Sequence, residues 1–224
     1  MTTTNPAAPA APLAPPDPAR IAKTVATKLP FRGDVTGLTP LAGDASNRRY
    51  FRVALKGKPS ALILMQLADP EGFKKSEEDV SGASVQIAEL PFTNVLAHLQ
   101  RTGVTVPQLH YYDREAGLLY LEDFGDLTLA EACRDADRAR LVSLYRQAID
   151  QLVLLQVKGT QPPAPGCIAF HRGFDVPLLM WEFDHFLEYG IVARLGQPMK
   201  PADDKAVRAE FQRIAELLAG QPQV

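Results

Sequence analysis

The spacing of apolar residues changes once along the chain, near residue 125, and this change constrains the fold more than any other feature. Before it, apolar side chains alternate or form short runs bounded by turn residues, which is typical of β-strands. After it, they recur at the three- and four-residue spacing of amphipathic helices. The sequence therefore predicts an α+β fold of two lobes, strand-rich and then helical, with a cleft between them.

Short strands fill the first half and helices fill the second. Runs bounded by Gly, Pro and charged turns predict five strands, at residues 37–42, 49–55, 61–67, 106–113 and 118–124. A helix at 91–101, opened by Pro91, follows the third strand, and a short amphipathic helix at 20–29 precedes the first. Beyond residue 125, helical spacing covers 127–132, 139–157, 176–195 and 202–218, with a Pro-rich break at 161–166.

Composition excludes several classes of function. The 24 Lys and Arg nearly balance the 26 Asp and Glu, so the net charge of -2 offers no field to attract nucleic acid or an anionic membrane. The Pro/Ala-rich composition of residues 1–19 predicts a disordered tail, and this segment lacks the features of a secretory signal. No apolar run in the chain is long enough to span a bilayer. Cys133 and Cys167 form neither a disulfide framework nor a zinc motif. A cytoplasmic protein is expected.

The segment LAGDASNRRYFRV, residues 41–53, joins the first two predicted strands. Its Gly and small residues let backbone N–H groups approach an anion closely, as in loops that cover phosphates. An ordinary hairpin turn is equally consistent with the local sequence. Alternation at the strand start sends Arg48 and Arg49 to opposite sides, so at most one of them touches a phosphate, and a solvated salt bridge is favoured for Arg49.

Four segments together resemble one family of kinases. They are GDASNRRYFRV at 43–53, ALILM at 61–65, VPQLHYYD at 106–113 and LLYLEDFGDLTL at 118–129, and they are similar to successive first-lobe landmarks of aminoglycoside-phosphotransferase-like kinases. The most similar branch comprises cell-wall amino-sugar kinases that act on the anomeric hydroxyl of N-acetylmuramate and N-acetylglucosamine. PLLMWEFDHFLEYGI, residues 177–191, resembles their helical segment, and the similarity extends from about residue 38 to the C-terminus.

This resemblance implies a protein-kinase-like fold and a nucleotide site. It implies that a loop covers the phosphates of ATP and that a hinge hydrogen-bonds adenine through its backbone. The residues so assigned are Gly43, Asp44, Ala45, Ser46, Asn47 and Arg48 for the loop side, and Glu122, Asp123 and Phe124 for the hinge. ATP and Mg²⁺ are the expected cofactors.

The third strand departs from the wider kinase pattern, because it carries Met65 where a phosphate-binding Lys is usual. Phosphate charge must then be neutralised by Mg²⁺, by Arg48, or by Lys56 or Lys58 on a neighbouring turn, and the sequence does not decide among them. The Met65 side chain itself is expected to pack against adenine or the core.

Residues 123–125 spell the D-F-G triplet that binds magnesium in protein kinases. In that family the triplet follows a catalytic loop, whereas here it ends the fifth strand with helices still to come. The hinge interpretation of Asp123 is therefore favoured over metal binding.

The carboxylates that phosphoryl transfer requires are missing from this sequence. The resembled family supplies them from H-x-D-x-x-x-x-N and a later Asp, but none of the four His residues is followed two positions on by Asp: His98, His110, His171 and His185. Glu182 and His185 form a single i, i+3 pair, which is too few ligands for a metal site. No catalytic residue and no metal ligand is assigned.

Family order would put the catalytic loop directly after the last predicted helix, where the chain ends. The sequence thus predicts a first lobe at 20–125 and, at 126–224, the helical part of a second lobe truncated before the catalytic loop, with the Mg²⁺ ligands in the missing part. This chain alone is expected to be inactive. Its helices are expected to expose apolar surface and to promote self-association.

Two hypotheses of different classes follow. The first is the N-terminal portion of an ATP-dependent kinase for a hydroxyl of a small substrate, specifically an N-acetyl amino sugar in cell-wall recycling. The second is a noncatalytic kinase-like module that binds nucleotide, which Met65 and the absent loop motivate.

Overall fold

The computed structural model describes residues 14–42, 48–68 and 89–222. The chain divides into two compact units. The first is drawn from Met1–Gly72 and Pro107–Asp126, and the second from Phe73–Val106 and Leu127–Val224.

The first unit holds one helix and a five-stranded sheet. Helix α1 (Pro18–Thr27) precedes strands β1 (Asp34–Pro40), β2 (Arg49–Lys56), β3 (Ala61–Gln66), β4 (Leu109–Asp113) and β5 (Leu118–Glu122). The strand order is β1-β2-β3-β5-β4, and every neighbouring pair is antiparallel. The predicted five-stranded α+β architecture is confirmed, although strand ends differ from the predicted ones by a few residues.

Period-two alternation determines which face of the sheet is buried against α1. On β2, Phe51 and Val53 are buried. Tyr50, which precedes Phe51, and Arg52, which lies between the two, are only half-buried. The buried face joins the apolar side of α1, where Ile21 and the residue four positions on, Val25, are fully enclosed. The core cluster is completed by Leu29, Leu55, Leu62, Leu64, Leu118 and Tyr120.

An ion pair fixes α1 to the turn between β4 and β5. Arg20 donates from Nε to Asp113 Oδ2 (2.6 Å) and from Nη2 to Asp113 Oδ1 (2.8 Å), and Nη2 also donates to Glu115 Oε2 (2.7 Å). The Arg20 guanidinium is the main reason that the pKa of the Asp113 carboxyl lies below its ordinary value. Folding therefore favours the ionised form of Asp113.

The Arg20–Asp113 pair predicts a pH-dependent stability. Because the folded-state pKa of Asp113 is depressed, its stabilising contribution is present above the unfolded carboxyl pKa of about 4 and is lost as the pH falls through the folded pKa. We expect Asp113→Asn to lower the melting temperature at neutral pH and to lower it much less in strong acid. Thermal unfolding of both proteins across an acid series measures this, and an equal difference at every pH would contradict it.

The second unit is helical where it is described. It contains α2 (Pro91–Thr102), α3 (Leu129–Arg134), α4 (Arg138–Lys158), a 3₁₀ turn (Ile168–His171), α5 (Val176–His185) and α6 (Pro201–Ala219). Local caps account for several helix starts: the side chains of Thr128, Asp137 and Asp175 accept backbone N–H groups in the first turns of α3, α4 and α5. These helices lie where the apolar spacing predicted them.

The long helix predicted at 176–195 changes its winding in the middle. The α-helical hydrogen bonding of α5 stops at His185, and Phe186–Ala193 continues as a π-helix. Gly190 lies against the Phe186 ring, where an added Cβ would come within 3.0 Å of a ring carbon. Apolar spacing does not distinguish α from π winding over so short a segment.

Helix α2 packs within the second unit, against α4 and the 3₁₀ turn. Two buried side chains of α2 hold the Pro-rich connection after α4. Asn94 donates from Nδ2 to the carbonyl of Gly166 (2.9 Å) and accepts the Ile168 N–H (2.8 Å), while His98 Nε2 lies 2.6 Å from the carbonyl oxygen of Gly159. Both polar side chains are thus satisfied by backbone groups.

Among the helices described, none is both long enough and apolar enough to cross a lipid bilayer.

Candidate functional site

Among the predicted site residues that the structure describes, Arg48 precedes β2, and Glu122, Asp123 and Phe124 lie at the end of β5 and directly after it. Gly43, Asp44, Ala45, Ser46 and Asn47, the predicted phosphate loop, lie outside the described residues. Arg48 is the first residue described after them and immediately precedes β2.

Strand alternation separates the arginines at the start of β2. Arg49 lies on the α1 side, where its guanidinium carbon is 5.1 Å from the centre of the Phe51 ring, a distance suited to a cation–π contact. Tyr50 and Arg52 lie on the opposite face of the strand. Arg49 is therefore engaged by an aromatic ring of the core face.

The two lysines considered as phosphate ligands lie beyond the far end of β2 from Arg48 or at that end. Lys56 ends β2 and Lys58 lies in the turn that follows, and both are exposed. The seven-residue rise from Arg49 to Lys56 corresponds to about 23 Å of extended strand. Lys56 and Lys58 thus lie at the opposite end of the strand from Arg48.

Met65 is fully buried in β3, with Tyr50 and Leu119 as its neighbours in the flanking strands. Of the two expectations for this side chain, packing in the interior is the one observed. It offers no charge to a ligand.

Glu122 ends β5 and is tied to the segment before β4. Its backbone N–H donates to the carbonyl of Gln108 (2.9 Å), and its carboxylate Oε2 accepts the Gln108 N–H (3.1 Å). Both groups are therefore occupied by the protein, and Glu122 serves as the fixed edge from which residues 123–126 depart.

The Asp123 carboxylate is bound by an arginine. Arg52 Nε donates to Oδ2 (2.7 Å) and Nη2 donates to Oδ1 (3.2 Å), while the N–H of Gly125 donates to Oδ1 (2.8 Å). Only 11% of the Asp123 side chain is exposed. The carboxylate that the D-F-G triplet would offer to a metal is thus neutralised by a guanidinium.

Arg52 also belongs to this site, although no sequence pattern indicated it. It also binds Asp126, from Nη1 to Oδ2 and from Nη2 to Oδ1, both at 2.8 Å. These bonds depress the pKa of the Asp126 carboxyl. Residues 71 and 74 positions apart carry no local signal of contact, so only the paired strands bring these groups together.

Phe124 and Gly125 lie between the two bound carboxylates. The Phe124 side chain is 57% exposed, and its backbone N–H and C=O form no hydrogen bond with another residue of the described chain. Gly125 has φ +78, a conformation that strains any residue with a Cβ. An exposed aromatic ring beside unpaired backbone groups can stack on a planar ligand and hydrogen-bond its edge.

The described residues contain no group of three or more His, Cys, Asp and Glu side chains that could hold a metal ion. His185, considered with Glu182 on α5, packs between aromatic rings, with centroids 3.9 Å from Trp181 and 5.9 Å from Tyr189. Magnesium prefers carboxylate and water oxygens, and the shielded carboxylate of Asp123 is already bound by Arg52. This part of the chain does not fit a magnesium site.

A model of the phosphotransferase enzyme family matches residues 37–224. The matched region begins within β1 and includes the whole described second unit. A search of curated proteins finds no match.

Proposed function

Because the chain belongs to the phosphotransferase enzyme family, we propose that its first unit binds the nucleotide of an ATP-dependent kinase. The observation that carries this proposal is the segment 123–126, where an exposed Phe124 and its unpaired backbone groups are presented between two anchored carboxylates. In this proposal Phe124 contacts the adenine ring, and residues 122–124 act as the hinge.

The spacing along β2 suits a nucleoside triphosphate. Arg52 contacts the hinge segment, and Arg48, four residues before it, adjoins the predicted phosphate loop. Four residues of strand extend about 13 Å, so base and phosphates would lie at opposite ends of this span. Arg48, rather than the distant Lys56 or Lys58, is the basic residue that we assign to the phosphates, together with residues 43–47.

We further propose that the acceptor is a hydroxyl of an N-acetyl amino sugar in cell-wall recycling, which rests on the resemblance of residues 177–191 to amino-sugar kinases. Transfer requires a carboxylate to orient that hydroxyl, with Mg²⁺ at the phosphates. These 224 residues contain no H-x-D-x-x-x-x-N, so this chain by itself is proposed to bind nucleotide without turnover.

A cytoplasmic location suits Cys133 and Cys167, which are both free thiols.

Binding of ATP to the 224-residue chain tests the nucleotide site. We expect weak, saturable binding by calorimetry, and we expect Phe124→Ala to weaken it by about 5-fold or more, since stacking on a base contributes roughly 1–3 kcal/mol. Phe174→Ala is the matched control, because Phe174 is a similarly exposed aromatic residue of the second unit. Equal affinities for wild type and Phe124→Ala would contradict the assignment.

The noncatalytic module remains the second candidate, favoured by the burial of Met65 at the position of the usual Lys. Radiolabelled phosphate transfer from ATP to N-acetylmuramate and N-acetylglucosamine separates the two when it is combined with the coding sequence after Val224. An H-x-D-x-x-x-x-N encoded there, with transfer by the longer product, supports the kinase. A stop codon there, with ATP binding and no transfer, supports the module.

A further inference from the structure

Arg52 forms a dense set of charged hydrogen bonds. Its guanidinium donates four times, twice to Asp123 and twice to Asp126. The planar fork of an arginine suits such paired contacts, because its N–H groups match the spacing of carboxylate oxygens. The base of the side chain is held in the middle of β2, between Thr39 of β1 and Ile63 of β3.

The contacts of Arg52 are the main support of the hinge segment. Residues 123–126 follow β5 and precede α3, so no helix or strand holds them. Apart from the bonds to Arg52, the hydrogen bond found for this segment within the described chain is the internal one from the Gly125 N–H to Asp123. The backbone of Phe124 is therefore fixed by bonds to the residues on either side of it.

We propose that Arg52 is a positioning residue for nucleotide recognition: it holds Asp123 and Asp126 and thereby fixes Phe124 in the orientation that receives the adenine ring. This inference rests on the nucleotide site proposed above. Arg52 is assigned no contact with the nucleotide. Its effect is preorganisation, because a binding segment that is already ordered does not lose conformational entropy when the ligand binds.

The two carboxylates bound by Arg52 differ in their exposure to solvent. The side chain of Asp123 is 11% exposed and that of Asp126 is 81% exposed. Water and salt screen the Asp126 contact strongly and the Asp123 contact much less. Asp123 is therefore the partner through which Arg52 mainly acts.

The same unit contains a matched arginine with a different location. Arg20 also binds two acids, a shielded Asp113 and an exposed Glu115, at 2.6 to 2.8 Å. Its contacts join α1 to the β4–β5 turn, not to residues 123–126. Arg20 thus controls for general loss of a two-carboxylate ion pair in the first unit.

The test measures adenosine, ADP and tripolyphosphate binding to the full 224-residue chain by NMR titration. Tripolyphosphate carries the phosphate charge without a base. We expect Arg52→Met and Asp123→Asn to weaken adenosine and ADP binding by about tenfold, the equivalent of roughly 1.4 kcal/mol, and to leave tripolyphosphate binding unchanged. Asp126→Asn is expected to have a smaller effect, and Arg52→Lys to restore part of the affinity. Arg20→Met is expected to lower the melting temperature without changing adenosine affinity.

Other results would overturn either the positioning role of Arg52 or the proposed nucleotide site. Wild-type affinity for adenosine in Arg52→Met would overturn the positioning role while leaving the nucleotide site intact. Equal losses for adenosine and tripolyphosphate, or an equal loss in Arg20→Met, would also overturn it, because the effect would then be general destabilisation. Failure of the wild-type chain to bind adenosine or ADP would overturn the proposed nucleotide site and, with it, this inference.

Discussion

Replacing Leu64 with alanine is expected to lower the free energy of unfolding of the first unit by about 3 kcal/mol, in the range measured for leucine-to-alanine changes in packed cores. Leu64 is fully buried in β3, where Phe51 and Tyr120 are its neighbours in the adjacent strands. The shorter side chain loses the transfer free energy of its methyl groups and leaves a cavity that the paired strands cannot collapse to fill.

Amide hydrogen exchange measures this change best. The two compact units need not unfold together, and a global unfolding curve would combine the stabilities of both. A loss of about 3 kcal/mol corresponds to roughly 150-fold faster exchange of the most protected amides in β3 and β5. Leu127→Ala is the control, since the Leu127 side chain is 77% exposed and such surface changes stay within about 0.5 kcal/mol. Similar exchange in both variants would show that the α1-side core does not determine the stability of the sheet.

Loss of the apolar stripe on α4 is expected to change the assembly state. Tyr145, Ile149, Leu152 and Val153 follow each other at helical spacing, and each side chain is at least half exposed. An apolar patch of this kind is uncommon on a monomer and favours burial against another surface. We therefore propose that the 224-residue chain self-associates through this stripe.

Sedimentation across a concentration series measures the effect. The wild-type chain is expected to sediment as species heavier than 24.5 kDa, and a variant with lysine at Ile149, Leu152 and Val153 is expected to sediment as the monomer. A control variant with lysine at Ser143 and Asp150, which lie on α4 outside the stripe, should still associate. A monomeric wild-type chain at every concentration would rule out self-association through this surface.

Local sequence patterns determined the elements of this protein. Alternation of Phe51, Val53 and Leu55 identified a strand with one buried face, and the four-residue spacing of Ile21 and Val25 identified the helix that covers it. Both signals are reliable because the side-chain period of a strand or helix depends only on its own backbone. The resemblance to kinases added predicted positions for a phosphate loop and a hinge, which spacing alone did not give.

The tertiary structure decided what holds residues 123–126, the proposed hinge segment. In the sequence, no local motif distinguishes Arg52 from the other basic residues. Asp123 belongs to a D-F-G triplet, which is associated with magnesium in protein kinases. Their pairing depends on the strand order, in which β3 joins β2 on one side and β5 on the other, so that residues 71 positions apart become neighbours. Likewise, only tertiary contacts assign α2 to the second unit, although it lies between two strands of the first unit along the chain. Period and capping are properties of adjacent residues, whereas an ion pair between distant residues exists only once the sheet has formed.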